Sequence, residues 1–289
     1  MCIRRGGLAS IVLDESKLER IATGFKFTEG PVWNASEDFL LFSDIPANRI
    51  YKWPGNGEVD VFREPSGNSN GLTYDKEGRL IICEHGNRRL SRIELDGTYT
   101  ILADGFRGKR LNSPNDVVVK SDGTIYFTDP PYGIRPEEQE LPFQGVFHLD
   151  PDSGELNLVV ADFDRPNGLA FSPDEETLYI ADSSSRRHVR AFDVRPDGAL
   201  SGGRVFAEIR SELPGNPDGM KVDVEGNLYV AAAGGVWIFS EDGDHLGVIR
   251  TPETPANCAW GGEDWRTLFI TARASLYRIR LGIPGVKVP

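Results

Sequence analysis

The chain of 289 residues carries 44 acidic against 32 basic side chains, a net charge of −12, so its surface disfavours nucleic acid and anionic membrane and favours a cation as partner. No run approaches the roughly 20 apolar residues that a membrane span requires, and residues 1–7 have no apolar segment of signal-peptide type behind them. Cys2, Cys83 and Cys258 form an odd, widely spaced set without metal-ligand spacing, which points to reduced thiols in a soluble, cytoplasmic protein.

Residues 1–16 read as an N-terminal tail, with Ile11-Val12-Leu13 as the stretch able to dock. Residues 17–289 read as one domain. An alternating segment, Lys17-Leu18-Glu19-Arg20-Ile21-Ala22, comes first and belongs to no complete unit of its own. A repeated unit then begins at Glu29-Gly30-Pro31-Val32-Trp33. It recurs at Asn70-Gly71-Leu72-Thr73-Tyr74, Asn115-Asp116-Val117-Val118-Val119, Asn167-Gly168-Leu169-Ala170-Phe171, Asp218-Gly219-Met220-Lys221-Val222 and Asn257-Cys258-Ala259-Trp260. Successive openings lie 41, 45, 52, 51 and 39 residues apart, the period of a propeller blade. Each opening is followed by a second alternating run, expected at 38–43, 78–83, 123–128, 177–181, 226–231 and 266–271, and then by a third and a fourth strand. The Asp96-Gly97 pair marks a hairpin turn between the outer strands of the second unit.

The last repeat runs out after its third strand, so the segment near residue 20 is expected to supply the fourth. That closure removes the free edges a ring must not leave open. The expected fold is all-β, a six-bladed β-propeller closed by an N-terminal strand. The third unit carries an insertion, Pro130 to Pro142, between its second and third strands. Strand direction puts this loop at the same end as the repeat-opening residues, where a long loop serves as a lid or binding element.

The innermost strand of each blade faces the central channel, so Glu29, Asn70, Asn115, Asn167, Asp218 and Asn257 should converge there. Two carboxylates and four amides are hard oxygen donors, suited to Ca²⁺. The absence of His and Cys from this ring argues against zinc as the designed metal. A capping role around a water-filled channel is the structural alternative, above all for Asn70 and Asn257. His85, Asp129, Tyr132 and Asp182 end or follow second strands and therefore belong to the same face. Ser183-Ser184-Ser185 lacks the setting of a serine nucleophile.

Glu29-Gly30-Pro31-Val32-Trp33, Ser113-Pro114-Asn115-Asp116, Arg165-Pro166-Asn167-Gly168-Leu169-Ala170-Phe171-Ser172-Pro173-Asp174 and Pro217-Asp218-Gly219-Met220 resemble the signatures of the senescence marker protein/gluconolactonase/luciferin-regenerating enzyme family. The resemblance covers about residues 18–281. It implies a six-bladed propeller with a divalent metal, usually calcium, in the channel, and hydrolysis of a small-molecule sugar lactone. It places Glu29, Asn167 and Asp218 on the family's metal ligands, Asn115 on a position that ligates metal or holds substrate, and Asp218 on the proposed acid/base. Mg²⁺, Mn²⁺ or Zn²⁺ are further candidates for the cation. His85, Asp129 and Tyr132, with Asn115, are the expected substrate contacts. Animal-type members carry an Arg at the position of Ser113; the wording Asn112-Ser113-Pro114-Asn115-Asp116 is closer to the microbial gluconolactonase branch. A calcium-dependent phosphotriesterase and a non-catalytic calcium-binding propeller are the competing readings.

Overall fold

A computed structural model describes residues 7–13 and 15–288. Each repeat folds into an antiparallel sheet of four strands, and there are six such sheets among the described residues. The innermost strands are Thr28–Asn34, Ser69–Tyr74, Val117–Val119, Pro166–Phe171, Met220–Val222 and Pro255–Gly261. Each contacts the innermost strand of the blade on either side, and the last contacts the first, so the sheets close into a six-bladed propeller. The sixth sheet is completed by Glu19–Thr23, which pairs with Ser275–Arg280. The ring is therefore fastened between its two ends, as the truncated last repeat predicts.

The second strands show why neighbouring blades hold together. Their side chains alternate between the two faces of each sheet. In Phe39–Asp44, Leu40 and Phe42 pack in the cluster shared with blade six, whereas Leu41 packs in the cluster shared with blade two. Blade two repeats the scheme, with Ile82 turned toward blade one and Ile81 and Cys83 toward blade three. Every one of these side chains is fully buried, which explains the continuous apolar character of runs such as Leu80-Ile81-Ile82-Cys83.

Of the expected tail, residues 1–6 and 14 lie outside the described residues. Leu8–Ile11 forms a short helix whose Ile11 is buried in the blade-six cluster, and the Ile11 carbonyl accepts a bond from Gly282 N at 2.8 Å. At the other terminus Gly285 N donates to Trp265 O (2.8 Å) and Val286 N to Val222 O (3.1 Å). This segment lies across one end of the channel, over a small apolar cavity of about 110 Å³ lined by Trp33, Val117, Trp260 and Val288. The opposite end is open.

The second strands run one residue beyond the expected limits: Phe39–Asp44, Leu80–Glu84, Ile125–Asp129, Thr177–Asp182, Leu228–Ala232 and Thr267–Ala272. The added residue is acidic in the first four blades. An ordinary polarity count stops a strand at such a residue; here it is a buried part of the sheet.

Candidate active site

The open end of the channel holds a cavity of about 500 Å³ lined by Glu29, Asn70, Asn115, Asn167 and Asp218 at its base and by His85, Tyr132, Ser183 and Arg273 among the residues of its wall. Five of the six repeat-opening residues thus meet in one chamber. The sixth, Asn257, is tied to it: its Nδ2 donates to Glu29 Oε2 at 3.1 Å. In blades one, two, four and five, close approach of the innermost strands is made possible by the glycine after the opening residue. Gly30 has φ +48°, and a Cβ there would stand 1.9 Å from Asn70 O, so no larger residue fits.

The amides form a directed chain around the base. Asn70 Nδ2 donates to Asn115 Oδ1 (2.8 Å), Asn115 Nδ2 to Asn167 Oδ1 (2.7 Å) and Asn167 Nδ2 to Ser183 Oγ (2.9 Å). Ser183 Oγ in turn donates to Pro217 O, immediately before Asp218. His85 Nε2 lies 3.2 Å from both Asn70 Nδ2 and Asn115 Oδ1. The chain fixes each amide oxygen's direction, which is what a multidentate site of neutral donors requires. Asn70 donates into this chain and Asn257 to Glu29, so both bond to other members of the ring.

Three of the opening residues are further held by a recurring clamp. Asp44 at the end of blade one's second strand accepts bonds from Lys26 N (2.9 Å) and Phe27 N (3.1 Å). Asp129 does the same in blade three for Asn112 N and Ser113 N, both at 2.7 Å. In blade four Asp182 accepts from Asp164 N and Arg165 N, both at 3.2 Å. Each pair of N–H groups lies three and two residues before Glu29, Asn115 or Asn167. Each carboxylate thus takes two backbone N–H bonds, so the approach to each of these side chains is pinned.

This geometry corrects the expectation that Asp129 touches substrate. Asp129 is fully buried with both carboxylate oxygens engaged by backbone, and it is absent from the cavity wall. Asp182 likewise is a clamp. Asn115, His85 and Tyr132 do line the cavity. Tyr132 is the root of the blade-three insertion; the next residue, Gly133, donates its N–H to Ser113 Oγ at 3.0 Å. The remainder of the insertion turns back on the strand pair Gly105–Phe106 and Lys109–Arg110, where Arg110 N donates to Glu140 Oε2 at 2.9 Å. Arg110 itself reaches Asn87 O (3.2 Å), away from the chamber. Ser183 and Arg273 were not identified from sequence as site residues. The signal was available in register: both follow second strands, as His85 and Tyr132 do.

Electrostatically the base of the cavity is set for a cation. Burial, and then the nearby Asp116 charge, push Glu29 up to about 7, against the Gly30 N–H, Asn257 and Lys221. Burial followed by the Glu29 and Asp116 charges holds Asp218 well above the usual carboxylate range. Asp218 Oδ1 is buried without a hydrogen-bond partner among the described residues. Crowded, dehydrated carboxylates of this kind gain most from a metal ion. The donors are oxygens only, two carboxylates and two amides, and they fit a hard cation of the calcium type. His85 is pushed down to about 4, by burial against the Asn115 bond; it is a neutral imidazole at neutral pH. Burial also raises the Tyr132 phenol, helped by the Asp218 charge and opposed by bonds to Ser183 and Asn167, which places its hydroxyl beside the base of the site.

Comparison with known proteins matches residues 27–274 to the SMP-30/Gluconolactonase/LRE-like region. The chain belongs to this family. A gluconolactonase of Zymomonas mobilis is 38% identical over 93% of this chain and 83% of its own length. A gluconolactonase structure from Xanthomonas campestris superposes with a TM-score of 0.88 at 39% identity, covering 95% of this chain and 92% of that one. A calcium-binding protein, regucalcin, from Agrobacterium tumefaciens shares the fold, with a TM-score of 0.78 at 21% identity over 97% and 96% of the two chains. Membership places the chain among hydrolases of the lactonase type. Among its described residues no helix is long and apolar enough to cross a membrane.

Proposed function

We propose that the protein opens a sugar lactone of the aldonolactone type at a divalent cation, calcium first among the candidates, held by Glu29, Asn115, Asn167 and Asp218. The observation that carries this reading is the convergence of these oxygen donors on one cavity, with Asp218 Oδ1 buried and unpaired, in a chain of the lactonase family. When bound, such a cation supplies Lewis-acid polarisation of the ester carbonyl.

The chain's own residues supply the rest. Asp218 accepts a proton from the attacking water as the new carbon–oxygen bond forms, and returns it to the ring oxygen as the ester bond breaks. The Tyr132 hydroxyl and the neutral His85 ring stand on the wall as hydrogen-bonding groups for the sugar hydroxyls. The amide chain from Asn70 to Ser183 keeps Asn115 and Asn167 from rotating, so donor directions are set before substrate arrives. Such preorganisation lowers the cost of reaching the transition state.

The test is acid release in a pH-stat with glucono-δ-lactone and unrelated lactones, before and after EDTA, followed by single additions of Ca²⁺, Mg²⁺, Mn²⁺ and Zn²⁺. Metal-dependent release above the spontaneous rate is expected. No turnover of any lactone by protein with metal demonstrably bound would overturn the reading.

A further inference from the structure

The turns from second to third strand crowd the open end of the channel, and four of them contain a non-glycine residue in the left-handed region: Asn48 (φ 59°), Arg88 (58°), Arg187 (47°) and Arg273 (49°). At three of these positions the side chain is consumed by the neighbouring blade's entry loop. Asn48 Oδ1 accepts from Asn68 N at 2.7 Å, Arg88 Nε donates to Leu111 O at 2.7 Å, and Arg187 donates to Asn216 Oδ1 at 3.0 Å and Ser211 O at 3.1 Å. Arg273 departs from the pattern. Its guanidinium lies 5.6 Å over the Phe27 ring, lines the cavity and is exposed. Among the described residues it has no hydrogen-bond or ion-pair acceptor.

The backbone of its turn is fixed. Thr28 N and Thr28 Oγ1 donate to Arg273 O at 2.8 and 3.1 Å, and the next residue is Glu29. Glu253, the carboxylate bonded into the same turn, is occupied by Ala274 N (2.9 Å) and the Tyr277 hydroxyl (2.8 Å). Arg273 is also the one Lys or Arg among the described residues of the cavity wall. A guanidinium that opens onto the cavity from a fixed turn, over an aromatic ring and without an acceptor among the described residues, is a fork available to a carboxylate or phosphate.

We propose that Arg273 binds an anionic oxygen group, a carboxylate or a phosphate, on the part of the lactone remote from the ester carbonyl, so that the preferred substrate is an acidic sugar lactone. This rests on the lactonase reading above, and names its substrate class.

The experiment compares kcat/KM for neutral glucono-δ-lactone, 6-phosphoglucono-δ-lactone and a glucarolactone, in the unmodified protein and in Arg273→Gln and Arg273→Lys. The unmodified protein should prefer one charged lactone over the neutral one. That preference ratio should collapse about ten- to a hundredfold in Arg273→Gln, chiefly through KM, and partly survive in Arg273→Lys, because a charged hydrogen-bond pair is lost outright in one and only its fork geometry in the other. The better of the two charged lactones identifies phosphate or carboxylate as the group bound. Equal or better turnover of the neutral lactone, or a ratio that Arg273→Gln leaves in place, would overturn the assignment while leaving the lactonase reading standing. If no lactone is hydrolysed, calorimetry on calcium-loaded protein decides separately. Glucitol 6-phosphate or glucuronate binding more tightly than glucitol, with the difference lost in Arg273→Gln, supports the subsite; no difference rejects it.

Discussion

Blades one, three and four differ from blades two, five and six in how their second strands end. In the first group the strand closes on Asp44, Asp129 or Asp182, each gripping two backbone N–H groups ahead of a proposed ligand. In blade two the terminal Glu84 turns instead to Arg89 Nε (3.0 Å), Asn87 and Ser91, and blades five and six close on Ala232 and Ala272. Asn70 and Asn257, which open blades two and six, bond to other members of the site. Asp218, which opens blade five, is positioned by its own N–H to Ala231 O (2.9 Å) and by the Ser183 bond to Pro217 O. A six-fold architecture is thus used unequally: the clamp is present ahead of three of the four proposed ligands, and absent both from blades two and six, whose opening residues bond to other members of the site, and from blade five, where the N–H of Asp218 itself is tied to Ala231 O.

The strongest way to break this comparison is at Asp218, the ligand without a clamp. Asp218→Asn should lower kcat/KM by about a thousandfold, the scale of losing a general acid/base, as read by pH-stat with metal binding followed separately. If turnover persists within tenfold or so of the parent, Asp218 is not the proton acceptor. Glu29→Gln removes one of the two ligand charges and should weaken calcium binding by about a hundredfold, since ligand charge sets affinity at such sites. Calorimetry checks it, and an unchanged affinity would remove Glu29 from the ligand set.

The clamps come next in size. Asp182→Asn keeps the shape but halves the accepting capacity, and should cost about tenfold in calcium affinity, at the low end of what a supporting group contributes to a metal site. Glu84→Gln in blade two is its control. It should lower thermal stability while moving calcium affinity much less; equal losses in the two variants would erase the distinction between the groups of blades.

A smaller effect should appear in pH dependence. Because Glu29 is raised from 4.5 to about 7 by burial and by Asp116, it is protonated in the metal-free protein below that pH, and a cation must displace the proton. Asp218, raised by burial and by Glu29, must lose its proton as well, so calcium affinity should climb as pH rises through about 7, with proton release measurable by calorimetry in buffers of different ionisation enthalpy. Affinity independent of pH between 5 and 7 or so would contradict the raised carboxylate. At the closed end of the channel, Gly285→Ala should act on the fold alone. Its Cβ would stand 1.8 Å from Trp260 Cγ, a clash worth roughly 1–3 kcal/mol of stability, seen as a lower Tm with kcat/KM per folded molecule preserved.

The propeller was legible because its signal is repeated. A single alternating run such as Leu178-Tyr179-Ile180-Ala181 specifies little, but six copies in phase fix blade number, strand order and which residues face the channel. The convergence of Glu29, Asn70, Asn115, Asn167, Asp218 and Asn257 followed from that phase, as did closure by the segment at Glu19–Thr23, whereas the choice of four of the six as ligands came from the family resemblance. Asp129 was misassigned as a substrate contact for a definite reason. Its place after a second strand gives the correct end of the molecule, but the direction of a carboxylate depends on where unpaired N–H groups lie, and those belong to residues 16 or 17 positions earlier.

What the sequence determined by itself is periodic: the number of blades, the alternation that buries Leu40 and Leu41 against different neighbours, and the convergence of oxygen donors at one end. These follow from local spacing multiplied by the repeat. Only the tertiary structure decided which polar residues are consumed and which are left free. Arg88, Arg187 and Arg273 occupy comparable turns, yet two are bonded into the next blade and the third opens onto the cavity. Hydrogen bonds between blades are set by approach distances across the ring, and no local pattern encodes them.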